Sequence, residues 1–347
     1  MDPQLILFRR QYFQLFDTAF LCWPPKPLLR DIDVQGWLYT NLFDAQRNPQ
    51  LPPESYQIRI LKPLLNRIEN AIEDPEEDDI SDDLMTHLSS LMSMQLPAET
   101  TAVQQKAYVT FSCLSPSAHS SNTPNEEPTI TLLERRHLIS GSLTTGYRTW
   151  EAALHLGSYL LTSEGSSLIA GKNVLELGAG TGFISILCAK HLEAKHLTTT
   201  DGDEGVIESL KENLFLNELD DKNVNASVLR WGHGLAGSWV EEECETWPYD
   251  VVLGADITYE KPAIAALITT LRLLFNLLPG LKVLIAGAVR NIETFETFRQ
   301  ACVRSKFNVH EIDFEAKPMR EQIALFYATA VPLKILSITG PDPGIAK

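Results

Sequence analysis

The chain has 347 residues, of which 44% are hydrophobic and 21% charged, and its formal net charge is −16. This length suits a full α/β domain with an appendage of about one hundred residues or more. The acidic balance argues against binding to a phosphate backbone, which needs a basic surface, so we expect no direct nucleic-acid binding.

Cysteine and histidine usage gives no sign of a disulfide framework or a metal site. The five cysteines are isolated, and the eight histidines show no clustering with cysteine or glutamate at ligand spacing, which favours a reducing compartment and no bound metal. No apolar run approaches the roughly 20 residues of a membrane span. We therefore expect a monomeric, cytoplasmic protein.

Residues 1–100 are predicted to form a helical region, because apolar side chains recur at helical spacing. Pro63 is expected to kink or divide one helix, and the eight acidic residues within Glu73–Asp83 indicate a solvated linker. Two roles stay open for this region: substrate recognition, or stabilisation of the fold alone. The predicted helices are Gln4–Phe20, Leu28–Leu42, Glu54–Ile72 and Ser81–Met94.

Residues 101–140 are predicted to form a β-hairpin, with strands at Lys106–Phe111 and Thr129–Leu133. The Ser/Pro/Asn-rich loop between them, 114–128, is expected to be mobile. From Thr149 on, helix and strand patterns alternate, which indicates a parallel sheet. The parallel strands are predicted at 173–177, 196–200, 225–229, 250–255 and 281–287.

A glycine-rich turn follows the first of these strands. Val174–Leu177 runs into Gly178, Gly180 and Gly182, and a helical pattern begins at Phe183. Glycines at a strand-to-helix turn allow a sharp bend and a close approach of the backbone to a ligand. The turn predicts a nucleoside-containing cofactor.

The spacing and charge of this segment separate two such cofactors. In the dinucleotide fingerprint the third glycine falls one residue later than Gly182 does here. Glu176 would repel a pyrophosphate but attract a cation, and S-adenosylmethionine carries an ammonium and a sulfonium. Asp201 ends the next strand and is positioned to bind a ribose, with Asp203 as its competitor.

A second group of residues follows a later strand. Asp250–Ala255 reads as a buried strand, Asp256 stands at its carboxyl end, and Tyr259 follows three residues on. Ligands of open α/β sheets bind outside the carboxyl ends of the strands. We therefore expect these residues to share one crevice with the glycine-rich turn.

These motifs resemble those of the class I, seven-strand methyltransferases. Glu176–Gly182 is similar to their first motif, and Asp256-x-x-Tyr259 to the Asp-x-x-Tyr motif of the protein-lysine branch. Thr144–Leu154, which contains Trp150, resembles the Gly-…-Trp-x-Ala-Ala segment before the core. Leu229–Gly232 resembles the adenine-contacting Trp element, although Arg230 stands where members often carry an acid.

Other segments are similar to one subfamily, the lysine methyltransferases of translation elongation factor 2. These are Val289–Thr294, Phe8–Tyr12 and Trp23-Pro24. The resemblance implies a Rossmann-like, mostly parallel seven-strand sheet with an antiparallel last strand, in a methyltransferase domain at 141–335 followed by a flexible tail at 336–347. It places the closing antiparallel strands at Asn308–Phe314 and Gln322–Thr329.

The resemblance also implies S-adenosyl-L-methionine as cofactor and a protein substrate, elongation factor 2. The predicted cofactor-binding residues are Trp150, Glu176, Gly178, Ala179, Gly180, Thr181, Gly182, Asp201, Trp231 and Ala255.

Asp256 and Tyr259 are the predicted catalytic residues. A lysine amine, with a pKa of about 10.4, must lose its proton before it attacks a methyl group. We expect Asp256 or its backbone carbonyl to orient the amine and the Tyr259 ring to wall the slot. The competing interpretations are a helix cap for Asp256 and a core aromatic for Tyr259.

Other functions stay open at this point: a nucleotide-dependent oxidoreductase, a non-catalytic adaptor that keeps the cofactor fold, and a methyltransferase of another protein, a small molecule or a nucleic acid. The early third glycine counts against the oxidoreductase.

Overall fold

A computed structural model describes residues 2–94, 105–115, 127–135, 145–220 and 223–341. The chain forms two compact units, residues 1–112 with 118–139, and residues 113–117 with 140–347. None of the helices in the described ranges has the length and apolarity needed to cross a membrane.

The first unit combines short helices with a two-stranded hairpin. Its apolar core includes Phe8, Tyr12, Phe43, Ile60 and Leu64, so the amphipathic faces of its helices pack on one another. The helices are α1 (Pro3–Phe13), α2 (Lys26–Arg30), α3 (Ile32–Leu38), α4 (Glu54–Glu69) and α5 (Asp82–Ser93), with a 3-10 turn at Thr18–Phe20 and a π-helical turn at Tyr39–Phe43.

Three helix predictions in this unit differ from the structure. The first helix ends at Phe13 rather than Phe20, because Leu15 adopts a positive φ of 54° that a helix cannot continue through. The second is broken at Asp31, which caps α3. Of the kink or division expected at Pro63, the division is wrong, since α4 runs through this residue as one helix.

The hairpin consists of β1 (Ala107–Ser112) and β2 (Thr129–Glu134), paired antiparallel. Buried Arg10 on α1 forms an ion pair with Glu127, which Ser112 also contacts. A buried charge needs such a partner, so this pair ties α1 to the hairpin. Most of the predicted mobile loop 114–128 lies outside the described residues.

The second unit is built on a seven-stranded sheet, whose strands are β3 (Asn173–Leu177), β4 (His196–Asp201), β5 (Val224–Val228), β6 (Val251–Ala255), β7 (Lys282–Ala288), β8 (Asn308–Glu311) and β9 (Leu333–Thr339). Their order in the sheet is β5-β4-β3-β6-β7-β9-β8. All neighbouring strands are parallel except that β9 runs antiparallel to both β7 and β8. This confirms the predicted fold class.

Helices connect these strands and supply the apolar cores beside the sheet. Leu267, Leu271 and Leu274 on one long helix are fully buried with the sheet residues Val252 and Val283. The helices are α6 (Glu151–Leu160), α7 (Ser163–Ser167), α8 (Phe183–His191), α9 (Glu204–Leu216), α10 (Trp239–Thr246), α11 (Lys261–Leu277) and α12 (Ile292–Arg304).

The last strand lies elsewhere than predicted. Gln322–Thr329 is not a strand, because the Gln322 side chain satisfies both the N–H and the carbonyl of Tyr327 within the segment, and Leu325 has a positive φ of 46°. The strand at this sheet position is β9, which buries Ile335, Leu336 and Ile338. The predicted tail 336–347 therefore begins inside a strand.

Candidate active site

A cavity of about 680 Å³ lies outside the carboxyl ends of β3, β4 and β6. The strand order reverses between β3 and β6, which is where doubly wound sheets open a crevice. The volume falls in the range of small-molecule sites, about 300–1,000 Å³. The predicted site residues that line it are Trp150, Glu176, Gly178, Ala179, Gly180, Thr181, Asp201, Trp231, Ala255, Asp256 and Tyr259.

Gly182 is the predicted site residue that is not part of this lining. It precedes α8 with a positive φ of 84°, and an added Cβ would lie 2.5 Å from Leu210 Cδ1. Its role is therefore to start the helix and to admit a close neighbour.

The glycine-rich loop needs its glycines for two separate reasons. Gly178 and Gly180 have φ values of 66° and 55°, a conformation that costs other residues about 1–2 kcal/mol. A Cβ on Gly178 would lie 2.6 Å from Ile257 Cγ2, and one on Gly180 3.2 Å from the carbonyl oxygen of Gly146. At these two positions the loop therefore exposes backbone without side chains.

The segment before α6 packs on this loop. The hydroxyls of Thr149 and Thr181 are 2.7 Å apart and buried, and the Trp150 indole donates to the carbonyl of Thr145 at 3.0 Å. Thr145, Gly146 and Thr149 also line the cavity. Sequence reasoning missed these three, because nothing local indicates their contact with a loop about thirty residues away.

Glu176 is buried behind the loop and is held by the start of α8. Its carboxylate accepts from the Ser185 amide at 3.0 Å and from the Ser185 hydroxyl. Burial raises its pKa to about 8, although these hydrogen bonds act in the opposite direction. A cation bound nearby would favour the ionised form of this carboxyl.

The two aspartates that are candidates for binding the ribose, Asp201 and Asp203, have different hydrogen-bond partners. Asp201 accepts from the amides of Gly180 at 3.1 Å and of Asp203 at 3.2 Å, and burial raises its pKa. Asp203 caps α9 by accepting from the Val206 amide at 3.0 Å. Both side chains line the cavity, but Asp201 is joined directly to the glycine-rich loop.

Trp231 lines the cavity beside Gly178. An added Cβ on Gly178 would lie 3.4 Å from its Cζ2 atom, and its buried Nε1 has no hydrogen-bond partner among the described residues. Arg230 beside it forms an exposed ion pair with Glu204 at 3.1 Å. The ring is thus available as an apolar platform at the cavity wall.

Asp256 has a strained backbone and a carboxylate with one partner on each oxygen. Its φ is 55°, its Oδ1 accepts from the Ala288 amide at 3.0 Å, and its Oδ2 pairs with Arg290 at 3.2 Å. The helix-cap interpretation is wrong, because Glu260 occupies the N-cap position of α11. Strain of this kind concentrates at functional sites.

Tyr259 is 56% exposed at the cavity, so the core-aromatic interpretation is also wrong.

Arg290 lines the cavity and was missed as a site residue. Besides Asp256 it contacts Glu151 Oε2 at 2.9 Å and lies 5.5 Å from the Trp150 ring centroid. In the sequence Arg290 is part of the Val289–Thr294 segment that resembles the subfamily. Its role in the site could not be predicted, because its two partners stand 34 and 139 positions away.

No group of three or more histidine, cysteine, aspartate or glutamate side chains in the described part of the chain is arranged to hold a metal ion.

Comparison with known proteins identifies the family. A family described as lysine methyltransferase matches residues 133–301. Protein-lysine N-methyltransferase EFM3 from Chaetomium thermophilum is 46% identical over 340 residues, spanning 97% of this chain and 98% of that protein. EFM3 from Saccharomyces cerevisiae is 31% identical over 235 residues, 62% of this chain and 67% of that protein. Protein-lysine N-methyltransferase EEF2KMT from Homo sapiens is 29% identical over 223 residues, 60% and 64% of the two chains. The chain therefore belongs to the lysine methyltransferase family.

Proposed function

We propose that this protein transfers a methyl group from S-adenosyl-L-methionine to a lysine of translation elongation factor 2, in the cytoplasm. The observation that carries the proposal is the convergence of the bare glycine loop, Asp201 and Asp256 on one cavity. The isolated cysteines favour the reducing compartment.

The cavity fits the cofactor by chemistry as well as by volume. Asp201 offers carboxylate oxygens to the ribose hydroxyls, the Trp231 ring offers a face to adenine, and the glycines of the loop leave its backbone without side chains at the cavity wall. Trp150 and Glu176 are assigned to the methionine end, with Ala179, Thr181 and Ala255 completing the walls. When bound, the cofactor supplies a methyl group activated by its sulfonium.

The acceptor side of the site is formed by Asp256 and Tyr259. Asp256 orients the lysine amine through its carboxylate or its backbone carbonyl, and its carboxylate is itself fixed by Ala288 and Arg290. The exposed Tyr259 ring forms one side of the entrance to the cavity, where it contacts the lysine amine while the amine is still charged. Partial exclusion of water lowers the pKa of the amine, which releases its proton to solvent and so reaches its nucleophilic form.

Two findings support elongation factor 2 as the substrate. Segments outside the core, such as Val289–Thr294 and Phe8–Tyr12, are similar to that subfamily. One relative, EEF2KMT, carries this factor in its name. The second candidate function, a non-catalytic adaptor, is not favoured by any contact in the site.

The proposal is tested by transfer of labelled methyl into a cytosolic extract that lacks this protein, with the target resolved by mass and site. We expect one labelled lysine on elongation factor 2, and a loss of about 100-fold in rate for Asp256→Asn. Arg299→Met, which removes a surface pair on α12, is the matched control. Label on another protein would refute the target, and cofactor binding without transfer would favour the adaptor.

A further inference from the structure

Three arginines line the cavity, and they differ in how their charge is compensated. Arg290 pairs with Asp256 and Glu151, and Arg230 pairs with Glu204. Arg148 forms no ion pair or hydrogen bond with any described residue, and its Nε atom is buried without a partner. A buried donor left without a partner costs about 1–3 kcal/mol, so Arg148 is poised to gain from a ligand.

The position of Arg148 is fixed by its surroundings. Its guanidinium carbon lies 5.0 Å from the centroid of the Trp150 ring, and that ring is anchored by its hydrogen bond to the carbonyl of Thr145. The next residue, Thr149, bonds Thr181 of the glycine-rich loop. Arg148 is therefore held beside the loop at the Trp150 end of the cavity.

Arg148 differs from the other arginine beside the Trp150 ring in having no carboxylate partner among the described residues. Arg290 also lies beside the Trp150 ring, at 5.5 Å, but two carboxylates neutralise it. A planar guanidinium presents paired N–H donors that match a carboxylate in a two-point contact. The missing partner of Arg148 is thus an anion that the described residues do not provide.

We propose that Arg148 binds the α-carboxylate of the cofactor, and so distinguishes ligands that carry an amino-acid group from those that do not. This inference rests on the proposed function. The carboxylate is the one anionic group of S-adenosylmethionine at neutral pH, since its other charges are the ammonium and the sulfonium. It also sits at the methionine end, where Trp150 is assigned.

The test is calorimetric titration of the full chain with two ligands, S-adenosylmethionine and its decarboxylated analogue, which differ in this carboxylate alone. The wild type should prefer the carboxylated ligand by about 10- to 100-fold, the worth of a charged hydrogen-bonded contact. Arg148→Met should weaken S-adenosylmethionine binding by this factor, change binding of the analogue by less than about 3-fold, and so abolish the preference.

Two further sets of variants separate this contact from general damage to the site. Arg148→Lys keeps the charge but loses the paired donors, so it should retain part of the preference. Arg230→Met and Arg290→Met remove cavity arginines that already have partners, and they should keep the wild-type preference even where overall affinity changes. Melting temperatures of all variants confirm that they are folded.

The outcomes also separate this inference from the proposed function. Equal weakening of both ligands by Arg148→Met, or a preference that persists in it, would overturn the assignment while leaving the cofactor itself established. Failure of the wild type to bind either ligand would refute the proposed function and the inference together.

Discussion

Arg290 and Asp256 are joined by an ion pair of 3.2 Å, and the same guanidinium reaches Glu151 at 2.9 Å. The pair links the turn after β7 to the turn after β6, and Glu151 adds the first residue of α6. One side chain thus connects three elements at the cavity and sets the orientation of the proposed acceptor carboxylate.

The variant Arg290→Met should lower kcat by about 10- to 100-fold, because Asp256 keeps its bond to Ala288 but loses its second restraint. Steady-state kinetics with elongation factor 2 as acceptor would measure this, and Arg290→Lys should recover part of the loss. A change confined to the affinity for cofactor would contradict the positioning role.

The variant Gly180→Ala should weaken cofactor binding by about 10-fold or more, because its methyl group would press on the Gly146 carbonyl at 3.2 Å. Gly171→Ala is a matched control, since Gly171 also has a positive φ, 70°, but an added Cβ meets nothing within 4 Å. Both should lose about 1–2 kcal/mol of stability. Equal loss of cofactor binding in the two variants would show that backbone strain, and not the contact with Gly146, weakens binding.

Asp201→Ala and Asp203→Ala should affect different properties. The first removes the carboxylate proposed to bind the ribose and should weaken cofactor binding by about 10-fold. The second removes the cap of α9 and should cost about 1 kcal/mol of stability. Titration with cofactor and urea unfolding would be compared, and the reverse pattern would transfer the ribose contact to Asp203.

Glu176 should make stability depend on pH. Its pKa is raised from 4.5 to about 8, so the folded state binds the proton more tightly than the unfolded chain. This contribution is fully present below the unfolded value and is lost as pH rises toward 8. Without cofactor, the free energy of unfolding should fall between about pH 5 and pH 8 relative to that of Glu176→Gln. Urea unfolding at several pH values gives this difference, and a constant difference would contradict the assignment.

Recognition of the protein substrate by the first unit is testable on α5. Met85 and Met92 are 46% and 59% exposed and lie two helical turns apart. Replacing both with serine should raise KM for elongation factor 2 by about 10-fold while the cofactor Kd stays unchanged. Phe215→Ser, which alters a 70% exposed residue of the second unit, is the control. An unchanged KM would leave this face with no part in recognition.

Local motifs predicted the fold and the main part of the cavity. Gly178 and Asp256 stand at strand ends, and the sheet brings all such ends to one edge, so their convergence followed from the pattern. Arg148 and Arg290 were not predicted as site residues, because a single arginine has no periodicity and its partners are set by tertiary structure. The last strand was misplaced because the Gln322 side chain satisfies backbone groups that otherwise need a neighbouring strand.

The position of β9 governs the order in which the sheet can be completed. It follows β8 in the chain yet lies between β7 and β8. Because β8 pairs with the sheet through β9, β8 cannot join the sheet until residues 333–339 have been synthesised and have left the ribosome. Until then β7 presents an unpaired edge. A nascent chain halted before residue 333 would therefore contain the whole glycine-rich loop, and the edge of its β7 strand would still be unpaired and prone to aggregation.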